Sequence, residues 1–180
     1  LDPYLQAHWE IGNWTSELGL RYSTMEMRVD DHYLANGDSS GSKKYQQATP
    51  SLSVMYAFTP DLRGYVSVGK GFETPTQAEM AYAPGLAESF NFGVKPATSM
   101  QYEVGVKYQP FDKTLLTAAV FQIKQKNVLT GDVDYPQYES QSGEVRSRGV
   151  ELELKSSIEQ FDVLAAATYI DSFYTRETYG

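Results

Sequence analysis

The strongest constraint lies in residues 99–124, where two runs alternate in polarity about a short turn. In the first run Tyr102, Val104, Val106 and Tyr108 share one parity, and Glu103, Gly105, Lys107 and Gln109 the other. Successive strand side chains point to opposite faces, so this arm has an apolar face and a polar one. Pro110, Phe111, Asp112 and Lys113 make the turn: Pro presets φ and Asp bonds nearby backbone. The second arm sets Thr117, Ala119, Phe121 and Ile123 against Ala118, Val120, Gln122 and Lys124, with weaker alternation at Leu115, Leu116 and Val120. Strands this long with a charged face are unusual in a small soluble sandwich. They are ordinary in a transmembrane barrel, where one face meets lipid and the other a wet interior.

The same pattern recurs along the chain. Residues 3–11 set Leu5, Ala7, Trp9 and Ile11 against Gln6, His8 and Glu10, and Gly12-Asn13 turns the chain into residues 14–29. Residues 30–44 read as a polar loop. Strands are expected at 45–58, 62–70, 143–156 and 161–172, with a long irregular stretch at 71–96 and a polar loop at 130–141. Short turns fall near residues 12, 60, 111 and 158, each separated from the next by one long loop. Up-and-down strands with alternating short turns and long loops are the plan of an outer-membrane barrel, so about eight antiparallel strands in four hairpins are expected. Trp9, Trp14, Phe58, Tyr108, Phe111 and Phe161 cluster near the turns, as an aromatic girdle at a membrane boundary would.

The totals narrow the alternatives. A formal net charge of −8 disfavours nucleic acid as a partner, since phosphate binding needs a basic surface. The absence of cysteine removes disulfides and thiolate metal sites. Mean hydropathy is −0.44 and no apolar run is long enough for a membrane-spanning helix, which leaves a barrel untouched.

Three stretches resemble the barrel of TonB-dependent outer-membrane receptors, the ferric-siderophore branch in particular. They are Tyr65-Val66-Ser67-Val68-Gly69-Lys70-Gly71-Phe72-Glu73-Thr74-Pro75, then residues 95–107 around Gln101-Tyr102-Glu103-Val104-Gly105-Val106-Lys107, then Arg146-Ser147-Arg148-Gly149-Val150-Glu151-Leu152-Glu153. The resemblance spans residues 45–172 and implies an all-β, up-and-down barrel of about 22 strands. It also implies a plug domain inside the barrel and a segment before the plug that contacts TonB. Neither is found in residues 1–180, so the chain is expected to be one section of a barrel domain. The alternative is a complete eight-stranded barrel acting as a structural or adhesive protein.

Several residues are candidates for chemistry. Ferric siderophores are small polar chelates, gripped by aromatic faces and hydrogen-bond donors. Phe72, Tyr82, Phe90, Phe92, Tyr135, Tyr138, Arg146 and Arg148 are the candidate ligand-binding residues. Arginine offers a fixed fork for catecholate, hydroxamate or carboxylate oxygens. Arg146 and Arg148 share the parity of Val150, Leu152 and Leu154, which points them outward, where lipopolysaccharide phosphate is the alternative partner; a bulge would turn them inward. Gly105 and Gly149, on the polar parity, either leave room for what fills the lumen or mark a bend. Asp30, Asp31, Asp132 and Asp134 lack a calcium-loop pattern, and His8 and His32 lack ligand spacing, so no metal site or cofactor is expected. No nucleophile–base motif or phosphate loop is present, so no enzyme is expected.

Overall fold

The computed structural model describes residues 2–80, 90–131 and 139–176. They form eight strands: β1 Tyr4–Ile11, β2 Trp14–Val29, β3 Gly41–Ala57, β4 Leu62–Glu73, β5 Ala97–Phe111, β6 Thr114–Gly131, β7 Glu139–Ile158 and β8 Phe161–Arg176. All eight lie in one sheet in chain order, each antiparallel to the next. Among the described residues no ladder joins β8 to β1. The sheet is therefore an open wall with two free edges, not a closed eight-stranded barrel.

The strands run further than side-chain polarity suggests. Polar residues 41–44, expected in a loop, pair with residues 26–29 of β2. Likewise β6 runs to Gly131 and β7 starts at Glu139, inside the expected 130–141 loop. A ladder is made by backbone groups, so pairing continues where polar side chains on both faces erase the alternation. The β5–β6 turn is also tighter than expected. Strand β5 continues through Phe111, and the register shifts between Tyr108 and Phe111, next to the proline that cannot donate to the ladder.

Cross-strand rows show what each face meets. One row across β4–β8 reads Val66, Val104, Val120, Val150 and Tyr169. These side chains are 43–71% exposed, so no other described residue packs over them. An apolar face left bare over this many strands is what a lipid-facing wall presents. The next row belongs to the opposite face and reads Tyr65, Gly105, Ala119, Glu151 and Thr168. Near the short turns, Trp9, Trp14, Phe58, Tyr108, Phe111 and Phe161 are all exposed, and register puts the five within strands on the apolar face. Phe58, just past β3, joins them by lying over Gly64, which pairs with Tyr56 and Val106. The Trp14 and Tyr56 rings are 4.6 Å apart, and Tyr56 and Phe58 meet edge-on at 5.2 Å. The far ends of the strands, toward the long loops, carry the one buried cluster of large side chains among the described residues.

Candidate functional site

That cluster forms where the β4–β5 connection folds back against β3. Thr76 and Glu79 form a capping box, with the Thr76 amide donating to Glu79 Oε2 at 2.6 Å and the Glu79 amide donating to Thr76 Oγ1 at 3.3 Å. This sets a single helical turn, α1 Gln77–Met80, which delivers Met80. Met80, Val94 and Tyr45 of β3 are 1%, 4% and 3% exposed. Tyr45 pairs with Met25, and this parity of β3 is the one opposite the lipid-facing Leu52 and Val54. The loop therefore packs on the inner face of the wall, at its mouth.

Three consecutive carbonyls hold the returning strap. The Tyr45 hydroxyl donates to the Val94 carbonyl at 3.1 Å, the Gln141 side-chain amide to that of Lys95, and Asn127 Nδ2 to that of Pro96 at 3.2 Å. Gln141 also accepts from the Lys95 amide at 2.6 Å and donates to the Asn127 carbonyl at 3.2 Å. Asn127 sits at φ 57°, where the β6–β7 register shifts, and this backbone turn suits asparagine. Strands β3, β6 and β7 thus each contribute one side chain to the strap. None of the three was legible as functional in the sequence.

The candidate aromatics separate in space. Phe90 and Phe92 pair with ring centroids 6.4 Å apart, and Phe92 lies over Gly41 of β3. Both belong to the strap at the mouth. Phe72 ends β4 opposite Thr98, on the parity of Val66 and Val68. Tyr82, Tyr135 and Tyr138 lie outside the described residues, as do Asp132 and Asp134. Arg146 and Arg148 pair with Lys124 and Gln122 without a shift through to Val150, so both stand on the lipid-facing side.

Deeper in the lumen, the Tyr65 hydroxyl donates to Glu103 Oε1 at 2.6 Å, and Lys107 Nζ lies 5.4 Å from the Tyr65 ring centroid. Gly105 is what lets Tyr65 lie flat: a Cβ there would meet the ring's Cζ at 2.5 Å. Gly149 does the same for Phe121, whose Cζ would be 2.6 Å from an added Cβ. The glycines therefore do not hold lumen space open, since aromatic side chains of the neighbouring strand fill it. Lys155 and Glu153 form an ion pair at 2.8 Å on the same face.

In the β2–β3 loop, Asp31 Oδ1 accepts from the Tyr33 amide at 2.8 Å and its Oδ2 from the Ser39 amide at 3.0 Å. Asp30 pairs with Arg28 at 3.0 Å. Asp38 accepts from the Ser40 amide at 2.9 Å, and the Ser40 hydroxyl and amide together hold its carboxyl below the usual range. Among the described residues no group of three or more potential ligands could hold a metal ion.

A wall with a lipid face and a polar face matches known proteins. The profile described as TonB dependent receptor-like, beta-barrel, matches residues 1–180. The chain belongs to the TonB-dependent receptor β-barrel family. It is 32% identical over 169 residues to the metal-pseudopaline receptor of Pseudomonas aeruginosa, covering 91% of the chain and 23% of that protein. It is 30% identical over 175 residues to the ferrichrome outer membrane transporter/phage receptor of Escherichia coli, covering 96% of the chain and 22% of that protein. The ferric-catecholate import receptor of Escherichia coli superposes with a TM-score of 0.78 at 20% identity, over 97% of the chain and 28% of that structure. This TonB-dependent receptor segment thus spans about a quarter of the length of the curated relatives it matches. Its bare valine row is the lipid-facing surface of an outer-membrane barrel wall.

Proposed function

We propose that this segment forms part of the wall and mouth of a TonB-dependent outer-membrane receptor that takes up a ferric siderophore or similar metal chelate. The observation that carries the reading is the strap of residues 90–96. It brings Phe90 and Phe92 to the inner side of the mouth and is fixed there through three carbonyls. Aromatic faces at a wet entrance suit a polar, often aromatic chelate. Tyr82, Tyr135 and Tyr138, from the β4–β5 and β6–β7 connections, are proposed to add ring faces and hydroxyl donors. Below the mouth, Tyr65, Glu103, Lys107 and Glu151 offer charge and hydrogen bonds to a plug domain, whose rearrangement by TonB would release the cargo. Relatives named for metal-pseudopaline, ferrichrome and ferrioxamine support this class of cargo.

Fluorescence titration of the full-length receptor, with matched ferric and iron-free chelators of hydroxamate, catecholate and carboxylate type, tests the reading. Saturable quenching by a ferric form, weakened at least tenfold in a Phe90→Ala/Phe92→Ala double variant, is the expected result. Equal response to ferric and iron-free forms across the panel would refute it.

A further inference from the structure

The β6–β7 ladder breaks and mends itself within a few residues. The strands keep one register as far as the pair Lys126 and Glu144, and the pairs Thr130–Ser140 and Gly131–Glu139 return to that same register. Between them Asn127 stands extra on β6, and beyond the pair Val128–Gly143 the two residues Gln141 and Ser142 face the single Leu129. One bulge displaces the register of everything that follows it. Two that cancel leave the sheet as it was and change only the residues between them.

The residues set free in this way are the ones that reach the strap. Residues 94–96 belong to no strand, so their backbone groups have no ladder partner. Asn127 Nδ2 donates to the Pro96 carbonyl at 3.2 Å. The Gln141 side chain imitates a neighbouring strand: its oxygen accepts from the Lys95 amide at 2.6 Å, and its nitrogen donates to the Lys95 carbonyl. The same nitrogen donates to the Asn127 carbonyl at 3.2 Å, which closes a ring through β7, β6 and the strap. A primary amide is suited to this place because it carries an acceptor and two donors at one tip. The other two holds on the strap, Tyr45 on the Val94 carbonyl and Phe92 over Gly41, both come from β3. In the sheet β3 lies on one side of β4 and β5, and β6 and β7 on the other. Without Asn127 and Gln141 the strap would be tethered from one side only.

We propose that the cancelling bulges are a clasp, in which Asn127 and Gln141 are positioning residues that hold the strap, and with it Phe90 and Phe92, in the arrangement that captures cargo. Only this last step rests on the cargo reading above. Opening the clasp leaves the strap hinged on β3, and apparent affinity then falls with the fraction of receptors whose strap is in place.

The test uses the full-length receptor carrying spin labels at Lys95 and at Lys113, the latter in the β5–β6 turn, with distances read by electron paramagnetic resonance in the absence of cargo. Gln141→Glu keeps size and acceptor but removes both donors, and Asn127→Gly keeps the left-handed backbone but removes the donor to Pro96. One hydrogen bond contributes about fivefold to an equilibrium, so the ratio of displaced to seated strap should rise about fivefold in Asn127→Gly and about 25-fold in Gln141→Glu. Gln125→Glu, on the same face of β6 but outside the bulges, should leave it unchanged. In unlabelled receptor, Gln141→Glu should weaken the ferric chelator that quenches by about threefold or more. Added to Phe90→Ala/Phe92→Ala it should cost nothing further, because Gln141 acts only through those rings. Heat-modifiable mobility on gels confirms that each variant is folded. A seated strap in both clasp variants, full affinity in Gln141→Glu, or an equal further loss in the double alanine background would overturn the proposal. The distance measurement needs no cargo, so it decides the clasp even where the chelator panel shows no ferric preference, the result that overturns the cargo reading instead.

Discussion

Two glycines on the inner face of this wall are predicted to respond in opposite ways to the same methyl group. At Gly149 a Cβ would collide with the Tyr169 carbonyl oxygen and lie 2.6 Å and 2.9 Å from Phe121 Cζ and Cε1. Backbone cannot swing aside as a flexible side chain does, and β7 and β8 are paired along this length. Gly149→Ala must therefore part the β7–β8 ladder locally or expel Phe121 from its place. Overpacking of this kind costs about 1–3 kcal/mol, which is roughly 5- to 150-fold in the folding equilibrium. At Gly69 the nearest atom to an added Cβ is Ser51 Cβ at 3.8 Å, an ordinary contact. Neither glycine has a positive φ, so alanine fits the backbone at both. Gly69→Ala should be neutral or stabilising by about 0.5 kcal/mol, through reduced freedom of the unfolded chain. Both variants would be made in the full-length receptor and compared by urea unfolding in detergent, monitored by tryptophan fluorescence and gel mobility. The reasoning fails if Gly149→Ala unfolds at the same urea concentration as Gly69→Ala.

Other perturbations separate the remaining contacts. Tyr65→Phe keeps the ring over Gly105 but removes the donor to Glu103; a loss of about 1–2 kcal/mol is expected in the same urea assay. Tyr45→Phe should leave that midpoint nearly unchanged while speeding amide exchange at residues 91–95 by tenfold or more, because the Val94 carbonyl loses its anchor. The lowered Asp38 carboxyl acts while ionised: its folded-state value lies below its unfolded one, so its contribution is complete above the ordinary carboxylate range. That contribution is lost as pH falls through the lowered value. Chemical shifts of the Ser40 amide should therefore stay constant as pH falls from neutral through the ordinary carboxylate range and move only below it. Asp38→Asn should leave this amide without an acid transition of its own.

What the residues alone determined is the wall. Alternation such as Val104-Gly105-Val106-Lys107 fixes which parity meets lipid, because each strand's pleat assigns faces without reference to any other strand. The girdle of Trp14, Phe58 and Phe161 was legible for the same reason, whereas the side taken by Arg146 and Arg148, which a bulge would have reversed, was decided by the unshifted β6–β7 register. What tertiary structure decided depends on register and on chain reversal. Only the pairing of Tyr65 with Gly105 and of Phe121 with Gly149 reveals that those glycines are aromatic seats. Only the folding back of α1 and residues 90–96 brings Tyr45, Asn127 and Gln141 onto three successive carbonyls. Likewise, only the pairing of β6 with β7 sets Lys124 against Arg146. A side chain's face follows from its own strand, but its neighbours are chosen by the strand beside it, and no periodicity within one segment encodes that choice.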